Sequence, residues 1–369
     1  MMTAQDVKLT KIGAALKEDI DLKCTEERLR RNLAAFDKTT EIQDNYMTKV
    51  LKKCRQDTLL LIDGGDISKP YGSKFEGLSK VHDGSTGRIE KGFPTVGMIA
   101  LTDDKLPLPV YEHIYSYEKD FISQNNETFK ALDYAKKHFS NDNIRVFDRG
   151  YDSSIINKKL LDSEVKFIVR MTEKRNVIHN GKTQNILDVA KKFKGKYRLD
   201  FGNQKGQRLE CKVWITPIML DGAELNLVIC NGLGQKPMML LTNVFNDDNA
   251  ICTSLVKCYL MRWKIEEFYR FKKQTFNFED IRVLSLKSMN NLNLLLNILI
   301  GFLSMKSTGN ANKPTIVVLI NQVKRIFEAK NVLYAICGGI VSAFALVGTG
   351  LAGYFSPPPS LPFLQLCLW

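Results

Sequence analysis

The sequence has no CxxC pair and no cysteine–histidine cluster. Its eight cysteines (Cys24, Cys54, Cys211, Cys230, Cys252, Cys258, Cys337 and Cys367) are scattered over 369 residues, a spacing that supports neither a zinc finger nor a disulfide framework. A Walker A loop is missing, and so is a GxSxG elbow, so neither ATP use nor serine-hydrolase chemistry is indicated. The four histidines, His82, His113, His138 and His179, share no spacing and read as structural or surface residues. There is no internal repeat and no low-complexity block. The opening residues, MMTAQDVKLTKIGAALKEDID, lack the apolar stretch of a signal peptide, and a reducing, cytoplasmic compartment is expected. Charge is missing from one region: none follows Lys330 through Trp369. The run NVLYAICGGIVSAFALVGTGLAGYF is long enough to cross a bilayer. Gly338, Gly339, Gly348, Gly350 and Gly353 dilute it and Pro357, Pro358 and Pro359 end it, so a buried or partner-covered tail is expected rather than a membrane span.

What is present is a globular composition with an excess of positive charge. Hydrophobic residues make up 44%, enough to fill a core, and 53 Lys and Arg against 40 Asp and Glu leave a formal charge of +13. An excess of that size points to a polyanion as partner, because each phosphate neutralised by Lys or Arg releases condensed counterions. Nucleic acid is the expected partner.

Residues 1–56 are charged and helical in pattern. In TEERLRRNLAAFDK, Thr25 is a candidate N-cap, with Glu26 and Glu27 in the first turn where the helix dipole favours them. Thr58 to Ile62, TLLLI, is a continuous apolar run that reads as a strand buried on both faces, delivering Asp63 at its end before the turn pair Gly64-Gly65. FPTVGMIAL (93–101) and LPLPVYEHIYSY (106–117) predict two further strands in a meander. After a helix over ETFKALDYAKKHF, a short apolar strand in IRVFDRGYD delivers a second acid, Asp148. A helix over SSIINKKLLDS and a strand over KFIVRM (166–171) follow. From about Val177 to Asn243 short β-like pieces alternate with polar turns, which predicts an all-β insertion. NDDNAICTSLVKCYLMRWKIEEFYRFKKQTF has candidate caps in Asn246, Asp247 and Asp248 and contains no Gly or Pro, which predicts one continuous helix of roughly seven turns or more. A second, apolar helix over SLKSMNNLNLLLNILIGFLSMK is expected to pack beneath it. The fold class is therefore α/β (α+β), a mixed sheet flanked by helices and interrupted by the insertion.

Two acids at the ends of central strands occupy the place where open α/β sheets put their sites. A third is expected from the long helix. At about 100° per residue, Tyr259, Arg262, Glu266, Arg270 and Lys273 share one narrow face. Charge along one side of a helix is ordinarily its solvated face, and Glu266 with Arg262 and Arg270 at i±4 reads equally as surface ion pairs. The spacing Tyr259-x2-Arg262-x3-Glu266-x6-Lys273 separates the two readings.

In YLMRWKIEEFYRFKKQ that spacing resembles the Tyr-Arg-Glu-Lys (YREK) signature of bacterial insertion-sequence DDE transposases, with all four positions matched. LLLIDGGDI is similar to the family's first acidic block, with Gly64 and Gly65 where Thr is frequent and Asp66 as a rival ligand, and VFDRGYD is similar to its second. The resemblance runs in order from about Thr58 to Met305. It implies an RNase H-like catalytic domain formed by residues 57–175 and 244–310, split by a β-rich insertion over 176–243. This core would be preceded by the helical region 1–56 and followed by an apolar tail over 311–369. It further implies Mg-dependent DNA cleavage at transposon ends and strand transfer by a two-metal mechanism. In that mechanism Asp63, Asp148 and Glu266 are both catalytic residues and ligands of two Mg²⁺ ions, with Mn²⁺ as a substitute. Mg²⁺ suits such a set, since it binds hard oxygen through few protein ligands plus water and phosphate.

The same resemblance places Tyr259, Arg262 and Lys273 on phosphates of the transposon end, with Arg149 as a further backbone contact. In relatives that cut through a DNA hairpin, an aromatic of the insertion stacks on a flipped base. Trp214 is the candidate here, against the alternative that it packs in the core. The basic, Gly-rich segment 69–92 reads either as a hairpin connection or as a DNA-contacting loop. Partners implied are double-stranded DNA, both terminal repeat and target, and a second copy of the chain in the synaptic complex. The alternative function is a catalytically inactive DNA-binding remnant of a transposable element; a membrane-attached protein is a third reading, resting on the tail alone.

Overall fold

The computed structural model describes residues 1–309, apart from 85, 103–104, 203–207 and 246–247. The apolar tail, and with it the candidate membrane run, lies outside the described residues, as do the candidate caps Asn246 and Asp247. Three helices come first, α1 (Leu9–Leu16), α2 (Leu22–Ala35) and α3 (Thr39–Leu51). Thr25 does not cap α2. Asp21 does, its side chain accepting from the Lys23 N–H at 2.7 Å, while Thr25 is buried one turn inside and donates to Glu18 at 2.9 Å.

The strands β1 (Leu59–Ser68), β2 (Ser79–His82), β3 (Ile89–Leu101) and β4 (Pro107–Ile114) follow, then α4 (Gln124–His138), β5 (Arg145–Phe147), α5 (Ser154–Asp162) and β6 (Phe167–Arg170). Next come β7 (Asn176–His179), β8 (Lys182–Asn185), α6 (Ile186–Lys191), β9 (Tyr197–Gly202), β10 (Arg208–Leu220), β11 (Ala223–Asn231) and β12 (Met238–Thr242). The chain returns to helix in α7 (Asn249–Leu260), α8 (Trp263–Phe276) and α9 (Leu286–Gly309). Among the described residues one twelve-stranded sheet runs in the order β2-β3-β1-β5-β6-β12-β11-β10-β7-β8, with β4 also on β3 and β9 on β10. The segment between β6 and α7 is rich in strands, β7 to β12. It contains one short helix, α6, and extends the same sheet, because β12 pairs antiparallel with β6.

The centre of the sheet is parallel, β1 beside β5 beside β6, and α5 carries the chain from β5 across to β6. These central strands are apolar on both faces because helices cover both. Alternation decides which face each residue serves. Leu59, Leu61 and Val146 enter the layer that holds Leu255 and Val256 of α7, Ile265 and Phe268 of α8, and Leu292 and Leu296 of α9. Leu60, Ile62 and Phe147 enter the opposite layer with Met47 of α3, Ala131 and Leu132 of α4, and Ile156 and Leu160 of α5. By the same alternation Asp63 and Asp148 point to the side of α7 and α8.

Helix α9 is long and apolar enough to cross a bilayer, yet most of its apolar stretch is buried inside the molecule. Its asparagines explain the placement. Asn290 both donates to the Ile114 carbonyl and accepts from the Ile114 N–H, at 2.8 and 2.9 Å, and Asn291 donates to the Leu33 and Phe36 carbonyls that end α2.

Candidate active site

The parallel pairing of β1 with β5 runs Leu60 with Arg145, Leu61 with Val146 and Ile62 with Phe147. Asp63 and Asp148 are the next residue on each strand, so two acids remote in sequence are set side by side by the register. Asp63 is not the end of its strand, and Gly64-Gly65 is not a turn. β1 continues to Ser68 because β3 continues beside it as far as Gly92. Gly65 serves packing instead. A Cβ on Gly65 would come within 2.8 Å of the Thr95 Oγ1, and one on Gly97, which faces Asp63 across the ladder, would collide with the Tyr269 hydroxyl. The Tyr269 ring crosses these bare positions and its hydroxyl donates to the Asp63 carbonyl at 3.1 Å.

The predicted continuous helix is two helices. At the junction, Arg262 N–H bonds the Tyr259 carbonyl, Lys264 the Met261 carbonyl and Ile265 the Arg262 carbonyl, all i to i−3, which tightens the turn. Met261 and Arg262 keep dihedrals in the right-handed helical region, so no Gly or Pro is needed for the break. Asp248 takes the N-cap position of α7. The single-face projection from Tyr259 to Lys273 therefore rests on a helix that does not run through; what brings the residues together is the junction.

Arg262, at that junction, is the centre of the site. Its guanidinium donates to Asp63 Oδ2 at 2.9 Å, bonds Glu266 Oε1, and lies 3.9 Å from Asp148 Oδ1. Three carboxylates from β1, the end of β5 and α8 thus face one cation. Its side chain is 14% exposed, against 20% for Asp63, 36% for Asp148 and 49% for Glu266. Burial pushes the Asp63 carboxyl up to about 6, aided by the Asp148 and Glu266 charges and opposed by Arg262 and the Gly64 N–H. Burial works against the Arg262 charge, but Asp63, Asp148 and Glu266 outweigh it and hold the guanidinium more firmly protonated than usual.

Tyr259 is buried and its hydroxyl donates to Asp148 Oδ1 at 3.2 Å; burial first, then Asp148, raises its phenol. Lys273 lies two turns beyond Glu266 on α8, 2.9 Å from Glu279 and 3.4 Å from Asp66. Asp66, the rival ligand, is thereby paired outside the three-acid cluster. Arg149 is exposed in the short 3-10 turn (Arg149–Tyr151) that follows Asp148. Trp214 is half-buried on β10, its ring stacked on Phe193 with centroids 5.1 Å apart. Four strand spacings separate β10 from β5, about 19 Å at the usual interstrand distance, so Trp214 is not brought to the acids within this chain.

Sequence reasoning missed Tyr269 and Asp152. Tyr269 sits three residues beyond Glu266, a spacing that places it beside the acid on α8. Asp152 Oδ2 accepts from the Thr172 N–H and Oγ1 at 2.7 and 2.8 Å, pinning the segment after Asp148 to the end of β6; its place in DRGYD was its only signal.

Among the described residues no group of three acids, histidines or cysteines is closed tightly enough to grip a metal ion as it stands. The donor set nonetheless fits a hard divalent cation: three carboxylates already converge on a positive charge, and the guanidinium leaves two negative charges uncompensated. A mixed sheet lies between helix layers, and Asp63 and Asp148 stand side by side at its parallel centre. The transposase DDE domain family model matches residues 55–302, two thirds of the chain, and the protein belongs to that family. It is a transposase with an RNase H-like fold, and its class acts on DNA. No curated protein sequence matches the chain.

Proposed function

We propose that this transposase cleaves DNA at transposon ends and transfers the freed strand to target DNA, with Asp63, Asp148 and Glu266 as the catalytic carboxylates. The observation that carries the reading is the convergence of three carboxylates from three separate elements on one cation. Those residues would hold the divalent metal, two Mg²⁺ ions or Mn²⁺ in their place. Bound there, the metal would lower the pKa of the attacking water or 3′-hydroxyl and neutralise charge on the leaving oxygen. The chain's own contribution is positioning. Tyr259 fixes the Asp148 carboxylate, Tyr269 fixes the backbone of Asp63, and Asp152 fixes the turn that follows Asp148.

Arg262, Lys273 and Arg149 supply cations for DNA phosphates around the acids, Arg262 with the bidentate geometry a phosphate accepts. Trp214 would meet a base only where DNA spans the sheet from the acids to β10, and a second copy across paired ends supplies such a path. Cleavage of a labelled terminal inverted repeat in Mg²⁺ tests the assignment: Asp148→Ala is expected to abolish cutting and retain DNA binding. Unchanged cutting by that variant refutes it.

A further inference from the structure

Arg262 poses a problem for any reading in which the three acids take a metal, because the place such an ion would need is already filled by the guanidinium. We propose that Arg262 is the resident cation of the cluster in the metal-free protein, and that metal loading is an exchange: the ion enters as the guanidinium leaves. The inference rests on the reading of Asp63, Asp148 and Glu266 as metal ligands.

Three observations carry it. The same guanidinium meets all three acids, at 2.9 Å from Asp63 and 3.9 Å from Asp148, with Glu266 bonded to its other nitrogen. A surface pair at i, i+4 would account for Glu266 alone; it does not account for partners on two strands. Second, Arg262 meets the acids through the end of a long, rotatable side chain, so the guanidinium can leave by side-chain rotation with the backbone bonds of the α7–α8 junction unchanged. Third, a guanidinium does not give up its proton in a protein, so the three carboxylates are released by displacement and not by deprotonation.

The exchange is favourable in charge. With the guanidinium in place the three carboxylates keep a net charge of −2, and a compact divalent ion in its place reduces that to −1. The displaced guanidinium then needs an anion. A DNA phosphate at the acids is the group that fits its fork. Metal and DNA thereby assist one another through Arg262, and by linkage each raises the affinity of the other by the same factor.

The experiment uses the full chain freed of metal, with Mn²⁺ binding measured by calorimetry and no DNA present. Arg262→Gln is expected to bind Mn²⁺ about fivefold more tightly than the parent or better, and Asp148→Asn about tenfold more weakly or worse. Equal or weaker Mn²⁺ binding by Arg262→Gln, with binding still lost in Asp148→Asn, overturns the exchange and leaves the metal-site reading standing. Unchanged Mn²⁺ binding in Asp148→Asn overturns the metal-site reading itself. Where Arg262→Gln does not fold without metal, Arg262→Lys decides. Its single ammonium cannot fork to three carboxylates, so it too is expected to bind Mn²⁺ more tightly than the parent, and equal or weaker binding overturns the exchange. A short duplex phosphate probe adds the coupling: Mn²⁺ is expected to tighten DNA binding in the parent more than in Arg262→Gln, and equal tightening in both overturns the exchange.

Discussion

Asp63 is an acid held where its charge is disfavoured. Its proton leaves near pH 3.8 in the unfolded chain and near 6 in the fold, chiefly because of burial. Between those values the native state binds more protons than the unfolded state, so stability falls as pH rises; above 6 the whole penalty is present, and below 3.8 none of it is. Asparagine imitates the protonated acid. Asp63→Asn is therefore expected to stabilise the metal-free protein at pH 7.5, by on the order of 2 kcal/mol, with the gain shrinking toward zero by pH 4. Thermal melts of both proteins at the two pH values measure it. A gain that does not depend on pH, or a loss at 7.5, contradicts the account. Catalytic groups commonly carry such a penalty, since the arrangement that suits a ligand is not the one that suits the empty fold.

At the scale of elements, helix α8 is clamped on the sheet by a buried charge pair. Lys272 bonds Glu112 of β4, both under 3% exposed, and Asn297 of α9 also donates to that carboxylate at 2.9 Å. Lys272 lies 3.8 Å over the Phe278 ring as well. Lys272→Met would leave Glu112 buried without its cation, a loss of about 3–5 kcal/mol, whereas Lys272→Met with Glu112→Leu is expected to recover most of it. Urea unfolding of the parent, single and double variants tests this, and an additive double variant would mean the pair is not coupled.

This clamp was not legible in the sequence, where Lys272 reads as one more charge in EEFYRFKKQ. The strands were legible, because TLLLI and IRVF are apolar runs too short and too β-branched or aliphatic for surface helices and each precedes an acid. The register that sets Asp63 beside Asp148 was not, since it depends on a pairing of strands far apart in the chain. Gly64-Gly65 was misleading for the same reason: a glycine pair signals a turn locally, and only the pairing with β3, which sets Thr95 against Gly65, makes it strand. The break at Met261 and Arg262 left no local trace, because every residue there has good helix propensity and the change is a shift from i−4 to i−3 bonding. Candidate residues around Glu266 were found through spacing; that Tyr259 and Arg262 turn onto the acids could be known only from the packing of α7 and α8 against β1 and β5.

Across the whole molecule, the chain carries a net charge of +13 while the site is locally acidic, and the two features serve different steps. The basic excess draws the DNA backbone in, and does so without regard to sequence. The acidic cluster would repel the same backbone until its negative charge is met by cations, so approach and reaction have opposite electrostatic requirements. Binding to any duplex should therefore weaken steeply with salt. Neutralising about six phosphates implies log K falling against log salt with a slope near −5. Replacing Asp63, Asp148 and Glu266 together by their amides is expected to tighten metal-free binding while leaving that slope within about one unit, because the acids add repulsion but neutralise no phosphate. Fluorescence anisotropy on a labelled duplex from 50 to 300 mM KCl, about the range over which such slopes are read, makes the measurement. A slope near zero for the parent would mean that the positive charge is not what holds DNA. Weaker binding in the triple amide would mean that the acids organise the DNA surface, through Arg262, more than they repel it.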